Sequence, residues 1–136
     1  MRRSVVMFLV VASLAASAAR AGSPHFVSNT VTLTRSGNTL TVTGKEAGLG
    51  DEAQIHIVLS AVAECINNGG QHPKAANKTS VSSAGDFPVQ NGKANFNLTV
   101  TATFQPNCSP PMTVQFTSVK VEDTTNGISK TFSGTF

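Results

Sequence analysis

The chain has 136 residues, with ten lysine and arginine residues against seven aspartate and glutamate, eight phenylalanines, and neither tryptophan nor tyrosine. That length suits one domain with a buried core and is too short for two. The basic excess is three arginines near the start (Arg2, Arg3, Arg20), so it supplies no surface for nucleic acid or acidic membrane, and the missing Trp and Tyr argue against a stacking platform for sugars.

Residues 1–21 read as an export signal. Arg2 and Arg3 precede an apolar run from Val5 to about Ala16, which is too short to span a bilayer. Ala16-Ser17-Ala18 and Ala19-Arg20-Ala21 are small-residue cleavage patterns. Cleavage after Ala21 leaves a single domain, 22–136, with seven residues of each charge and no net charge. The other reading is an uncleaved membrane anchor. No later run reaches the roughly 18 apolar residues a spanning helix needs, so no membrane span is expected after cleavage.

From Phe26 onward almost everything alternates. Phe26 to Thr34 predicts a strand, Ser36-Gly37-Asn38 a turn, and Thr39 to Thr43 the returning strand, with Leu40 and Val42 on one face. Gly44 to Glu52 reads as a loop punctuated by glycines, with Leu49 plugging the end of the core. Ala53 to Val62 is the most apolar strand, since Ile55, Ile57 and Leu59 alternate with Gln54, His56 and Ser60. A polar stretch from Cys65 to Lys78 interrupts the pattern, and Thr79 to Ser82 makes at best a short strand. Asn91-Gly92 is the clearest tight turn, because both residues accept positive φ. It leads into Ala94 to Phe104, the cleanest half-buried strand. Three prolines bar Gln105 to Pro111 from pairing. Met112, Val114 and Phe116 start another strand, but Val119 and Val121 have the opposite parity, which predicts a bulge near Thr117–Ser118. Asn126-Gly127 turns the chain into a last strand, from Ile128 to about Phe136.

The expected fold is all-β, an antiparallel immunoglobulin-like β-sandwich of about seven strands. Two cysteines in an exported chain suggest one disulfide, Cys65–Cys108, closing 43 residues, for which loop-closure entropy gives on the order of 4 kcal/mol. Free thiols and a metal pair are the alternatives. If strand directions alternate, the 35–38 turn and the 63–77 and 105–111 loops share one end. The 44–52, 83–92 and 123–127 segments share the other, with Glu46, Asp51, Glu52, Asp86, Glu122 and Asp123 near it.

At Lys45-Glu46-Ala47-Gly48-Leu49-Gly50, Cys65-Ile66-Asn67-Asn68-Gly69-Gly70 and Ala75-Ala76-Asn77-Lys78 the chain resembles a group of small exported β-sandwich proteins, mainly actinobacterial and described as hypothetical. The endings Asp123-Thr124-Thr125-Asn126-Gly127 and Gly134-Thr135-Phe136 are similar too. The resemblance covers most of 22–136 and implies export and a β-rich fold, with no established activity. A weaker likeness is to neocarzinostatin-type chromoproteins, exported sandwiches of similar size. Those carry two disulfides where this chain can form one, and their ligand-pocket residues have no recognisable counterpart here.

Chemistry-bearing patterns are sparse. No Gly-x-Ser-x-Gly elbow occurs, and His25, His56 and His72 belong to no triad motif. The adjacent pairs Asp51-Glu52 and Glu122-Asp123 point apart on extended backbone. No Asp-x-Asp-x-Asp-Gly loop is present, so acids gathering on Ca²⁺ yield to solvated loop charges. Pro24, lacking an amide hydrogen, speaks against a copper site built on His25. The sequons at Asn77, Asn97 and Asn107 matter only in a eukaryotic secretory route. The best candidate for binding is the polar loop with Asn67, Asn68, Gly69, Gly70, His72 and Lys78, although turn chemistry alone accounts for Asn-Asn-Gly-Gly.

The sequence therefore reads best as a secreted β-sandwich, an extracellular binding or structural module without cofactor, metal or catalytic residues. Its partner would be an extracellular protein, a cell-surface component or a small molecule. The alternatives are a small-ligand carrier with a pocket between the sheets and, third, a hydrolase. A carrier predicts an apolar cavity lined by several Phe. An enzyme predicts His56 or His72 within reach of a hydroxyl and a carboxylate.

Overall fold

The structure is a computed structural model, and it describes residues 22–67 and 77–136. The strands are β1 (His25–Phe26), β2 (Thr32–Ser36), β3 (Thr39–Ala47), β4 (Gln54–Ile66), β5 (Lys78–Pro88), β6 (Ala94–Thr101), β7 (Thr113–Asp123) and β8 (Ile128–Phe132). All pairings are antiparallel. One sheet places β3 between β6 and an edge shared by β1 and β2, and the other runs β5-β4-β7-β8. Their inner faces enclose one core, to which Leu40 and Val42 of β3, Ile55, Ile57 and Leu59 of β4, Phe96 and Leu98 of β6, and Phe116, Val119 and Val121 of β7 contribute. These are the alternating positions of each strand, because successive side chains leave opposite faces of a pleated sheet. Leu49 is fully buried at one end, as expected.

The turn chemistry operates as the residues dictate. Gly37 takes φ 58° in the β2–β3 hairpin. Asn91 and Gly92 both take positive φ (53° and 73°) between the bridged residues Gln90 and Lys93. That tight turn does not build one hairpin sheet: β5 and β6 diverge from it into opposite sheets. The bulge in β7 is present. Ser60 faces Lys120 and Val62 faces Thr117, with Ser118 at φ 51°. The extra residue restores the inward parity of Val119 and Val121. Opposite it the last strand also breaks, since β8 ends at Phe132 and pairing resumes where Phe136 and Phe116 exchange backbone hydrogen bonds of 2.8 and 2.9 Å.

Three sequence expectations need correction. The first strand is split by a 3₁₀ turn, Ser28–Thr30, in which the Thr30 hydroxyl donates to Val27 O (2.7 Å) and accepts from Lys45 N (3.0 Å). This short polar side chain stands in for a missing ladder bond. The 44–52 loop is shorter than expected, because β3 continues to Ala47 with Gly44 and Glu46 on its inward parity. Gly44 faces Phe96 across the strands, and a Cβ there would fall 2.6 Å from the Phe96 ring. Lastly, β5 is an eleven-residue strand rather than a short one. Its Ser, Ala and Gly residues carry little hydrophobic signal, yet their backbone pairs with β4 from Lys78 to Pro88.

Candidate functional site

Among the described residues, the 37–38 turn and the Cys65 and Cys108 segments lie at one end of the sandwich, and the 48–53, 89–93 and 124–127 turns at the other. At one end Cys65, the penultimate residue of β4, bonds Cys108 with Cα atoms 5.7 Å apart. Met112 Sδ lies 3.8 Å from Cys65 Sγ. Arg35, on β2, donates to Val114 O (2.6 Å) and Gly37 O (3.1 Å), clamping the edge of one sheet to β7 of the other. Asn38 Nδ2 donates to Ala102 O at 3.0 Å. These residues line two open grooves, one of about 370 Å³ (Arg35, Gly37, Asn38, Cys108, Met112, Thr113, Val114) and one of about 180 Å³ that also touches Phe104.

The expected binding loop is only partly placed. Asn67 is exposed just beyond β4. Asn68, Gly69, Gly70 and His72 fall outside the described residues. Lys78 opens β5, facing Glu64 across the strands with its Nζ 3.7 Å from Glu64 Oε1. Glu64 also accepts from Gln115 Nε2 (2.8 Å) and Thr117 Oγ1 (3.4 Å), so this largely buried carboxylate on the outer face is well supplied with donors.

At the opposite end lies the feature that strand alternation alone did not reveal. Glu46 continues the inner face of β3, Asp123 the inner face of β7, and both are 0 % exposed. Asp123 is satisfied as a carboxylate. Its Oδ1 accepts the backbone N–H groups of Thr125 (2.8 Å) and Asn126 (3.2 Å), and its Oδ2 accepts Asn126 Nδ2 (2.7 Å). Asn126 Nδ2 also reaches Glu52 Oε2 at 3.1 Å. Glu46 has no such supply, and neither of its oxygens meets a donor. Its neighbour is Asp123, itself an acceptor, so their contact becomes a hydrogen bond only when Glu46 carries a proton. Burial, then that hydrogen bond, then the charges of Asp123 and Glu52 push the Glu46 carboxyl up to about 8 from an ordinary 4.5. Both side chains are sealed from solvent.

Two of the three histidines, His25 and His56, are also placed. His25 Nδ1 lies 2.7 Å from Ser23 O. His56 Nδ1 lies 2.7 Å from Asp86 Oδ1, across the β4–β5 pair and half exposed. Thr125 Oγ1 accepts from the His56 backbone N–H (2.9 Å) and Thr124 Oγ1 donates to its carbonyl (3.3 Å). Among the described residues no hydroxyl bonds the His56 ring, so of the two conditions set for a catalytic base it meets the carboxylate alone. No group of three or more His, Cys, Asp or Glu residues is arranged to hold a metal ion among the described residues, and none of their helices is long and apolar enough to cross a membrane. No protein-family model, curated protein or solved structure matches the chain.

Both clusters join residues far apart in sequence. The signal for Glu46–Asp123 was available in principle, since both sit on the inward parity of strands whose apolar residues define the core.

Proposed function

We propose that the chain is a secreted β-sandwich that acts outside the cell as a binding or structural module, contacting its partner through open sheet edges. The observation that carries this reading is a filled space between the sheets combined with an edge, along β5, with which no strand of the described residues pairs. Leu40, Ile57, Leu59 and Phe116 are fully buried there, and Phe96 meets Phe26 and Phe87 edge-to-face, with ring centroids 5.8 and 6.4 Å apart. A carrier would need that volume for its ligand. A shallow groove of about 310 Å³ instead lies across β5, β4 and β7, lined by Ser60, Ala61, Val62, Ser80, Val81, Ser82 and Ser118.

Export is supported by the signal-like residues 1–21, by the resemblance to small exported proteins, and by the Cys65–Cys108 disulfide, which fits an oxidising environment. Native mass spectrometry of protein recovered from the medium, with and without lysine cross-linking, tests the reading. The expected result is the processed polypeptide without a bound small molecule, cross-linked to another polypeptide through Lys78. A constant extra mass released on unfolding would overturn it in favour of a carrier. Uncleaved protein held in the cell would overturn export.

A further inference from the structure

Strand β5 bonds β4 along its whole length, from Lys78 opposite Glu64 to Pro88 opposite Gln54, and among the described residues no strand pairs with its other edge. Eleven residues therefore present a row of backbone donors and acceptors without a strand beside them. The residues that usually blunt such an edge stand at its extremities, Lys78 at the start and Asp86 and Pro88 at the end. Between them Ser80, Ser82 and Ala84 point outward, while Val81, Ser83 and Gly85 share the other face. Small side chains on both faces let a second backbone approach to the roughly 4.8 Å of a sheet ladder.

We propose that β5 pairs with β5 of a second copy, antiparallel about a two-fold axis through Ser82, so that two sheets become one continuous sheet. The charges select this register. Lys78 and Asp86 lie equally far from Ser82 and on the same face of the strand. The two-fold sets Lys78 opposite the partner's Asp86, Asp86 opposite the partner's Lys78, and Ser80 opposite the partner's Ala84. A slip of two residues sets Lys78 opposite Ala84 or Pro88 and loses both pairs. Each charge already has a neighbour on its own sheet, with Lys78 3.7 Å from Glu64 and Asp86 2.7 Å from His56. Pairing then extends these contacts into a four-residue network at each end of the joint. The interface is isologous, and its pairing closes at two copies rather than growing into a fibre. The backbone ladder supplies the affinity, and the charges, being half exposed, supply the register.

This deepens the reading of the chain as an extracellular module by naming a second copy as the partner of β5. Sedimentation velocity of the processed protein over about 1–500 µM, where a joint of this size would half-dissociate, tests it. The expected result is a monomer–dimer equilibrium. Lys78→Asp and Asp86→Lys should each weaken dimerisation by about tenfold, because each sets like charges opposite one another at both ends. The two combined should restore it. Ser82→Lys, which sets two ammonium groups across the axis, should abolish it, with circular dichroism confirming the fold of every variant. A protein that stays monomeric over this range overturns self-pairing and leaves the edge free for a different polypeptide. A dimer indifferent to Ser82→Lys, or single reversals that the double reversal does not rescue, also overturns it.

Discussion

Replacing Glu46 by glutamine should stabilise the protein at neutral pH and remove a pH dependence. The folded-state carboxyl titrates at about 8 against 4.5 in its ordinary state. Between those values the folded chain holds a proton that the unfolded chain has released, so unfolding becomes easier as pH rises. The contribution is fully present below about 4.5, falls through the window, and is gone above about 8. At about 1.4 kcal/mol per pH unit, the loss by pH 7 is about 3 kcal/mol. Glutamine keeps the shape, cannot ionise, and offers an amide donor to Asp123. The advantage of Glu46→Gln should therefore be below about 1 kcal/mol at pH 5 and approach about 4 kcal/mol at pH 7.5. Urea titrations of both proteins at pH values from 5 to 8, with the disulfide intact, measure the gap directly. In thermal melts each kcal/mol corresponds to about 4 °C for a domain of this size. A gap that stays constant across the range would refute the reasoning, because Glu46 would then not be changing protonation on folding.

Three other substitutions probe separate parts of the fold. Replacing Cys65 and Cys108 together by serine should lower stability by up to about 4 kcal/mol through lost loop closure, and the reduced native protein should match the variant's urea midpoint. Gly44→Ala would bring a methyl within 2.6 Å of Phe96 Cζ and 2.9 Å of Val31 Cγ2, so a loss of about 1–3 kcal/mol is expected in the same assay. An unshifted midpoint would show that the Phe96 ring does not lie on Gly44. Ser118→Gly should stabilise by about 0.5–1 kcal/mol, because Ser118 occupies φ 51°, a region that disfavours side chains, and a lower midpoint would contradict the bulge geometry.

Alternation was the most legible property of the chain. Ile55, Ile57 and Leu59, and likewise Ala94, Phe96, Leu98 and Val100, marked buried faces that the structure bears out. The parity change between Phe116 and Val119 located the bulge, and Asn91-Gly92 located a turn. Boundaries failed where side chains stopped reporting the backbone. Ser80, Ser82, Ser83 and Gly85 neither bury nor repel strongly, so β5 looked like a short strand at best. Glu46 looked like a loop charge because a buried carboxylate cannot be told from a solvated one until its cross-sheet neighbour is known. That neighbour, Asp123, comes from a pairing of sheets that no local pattern encodes. The loop singled out for binding is legible only at its ends: Asn67 lies beyond β4, Lys78 begins β5, and the residues 68–76 lie outside the described chain.

The order in which strands pair has a consequence for how the protein comes apart. β3 pairs with β6, and β4 pairs with β7, so the two pairings overlap along the chain instead of nesting or following one another. No single cut through the sequence separates the two sheets from one another with both intact. The first sheet is complete only once β6 is in place and the second only once β8 is, and their inner faces share one core. Such an interlocked chain should unfold as a single cooperative unit and fold slowly, since its decisive pairings join distant segments. Spectroscopic probes placed in either sheet would report one coincident transition.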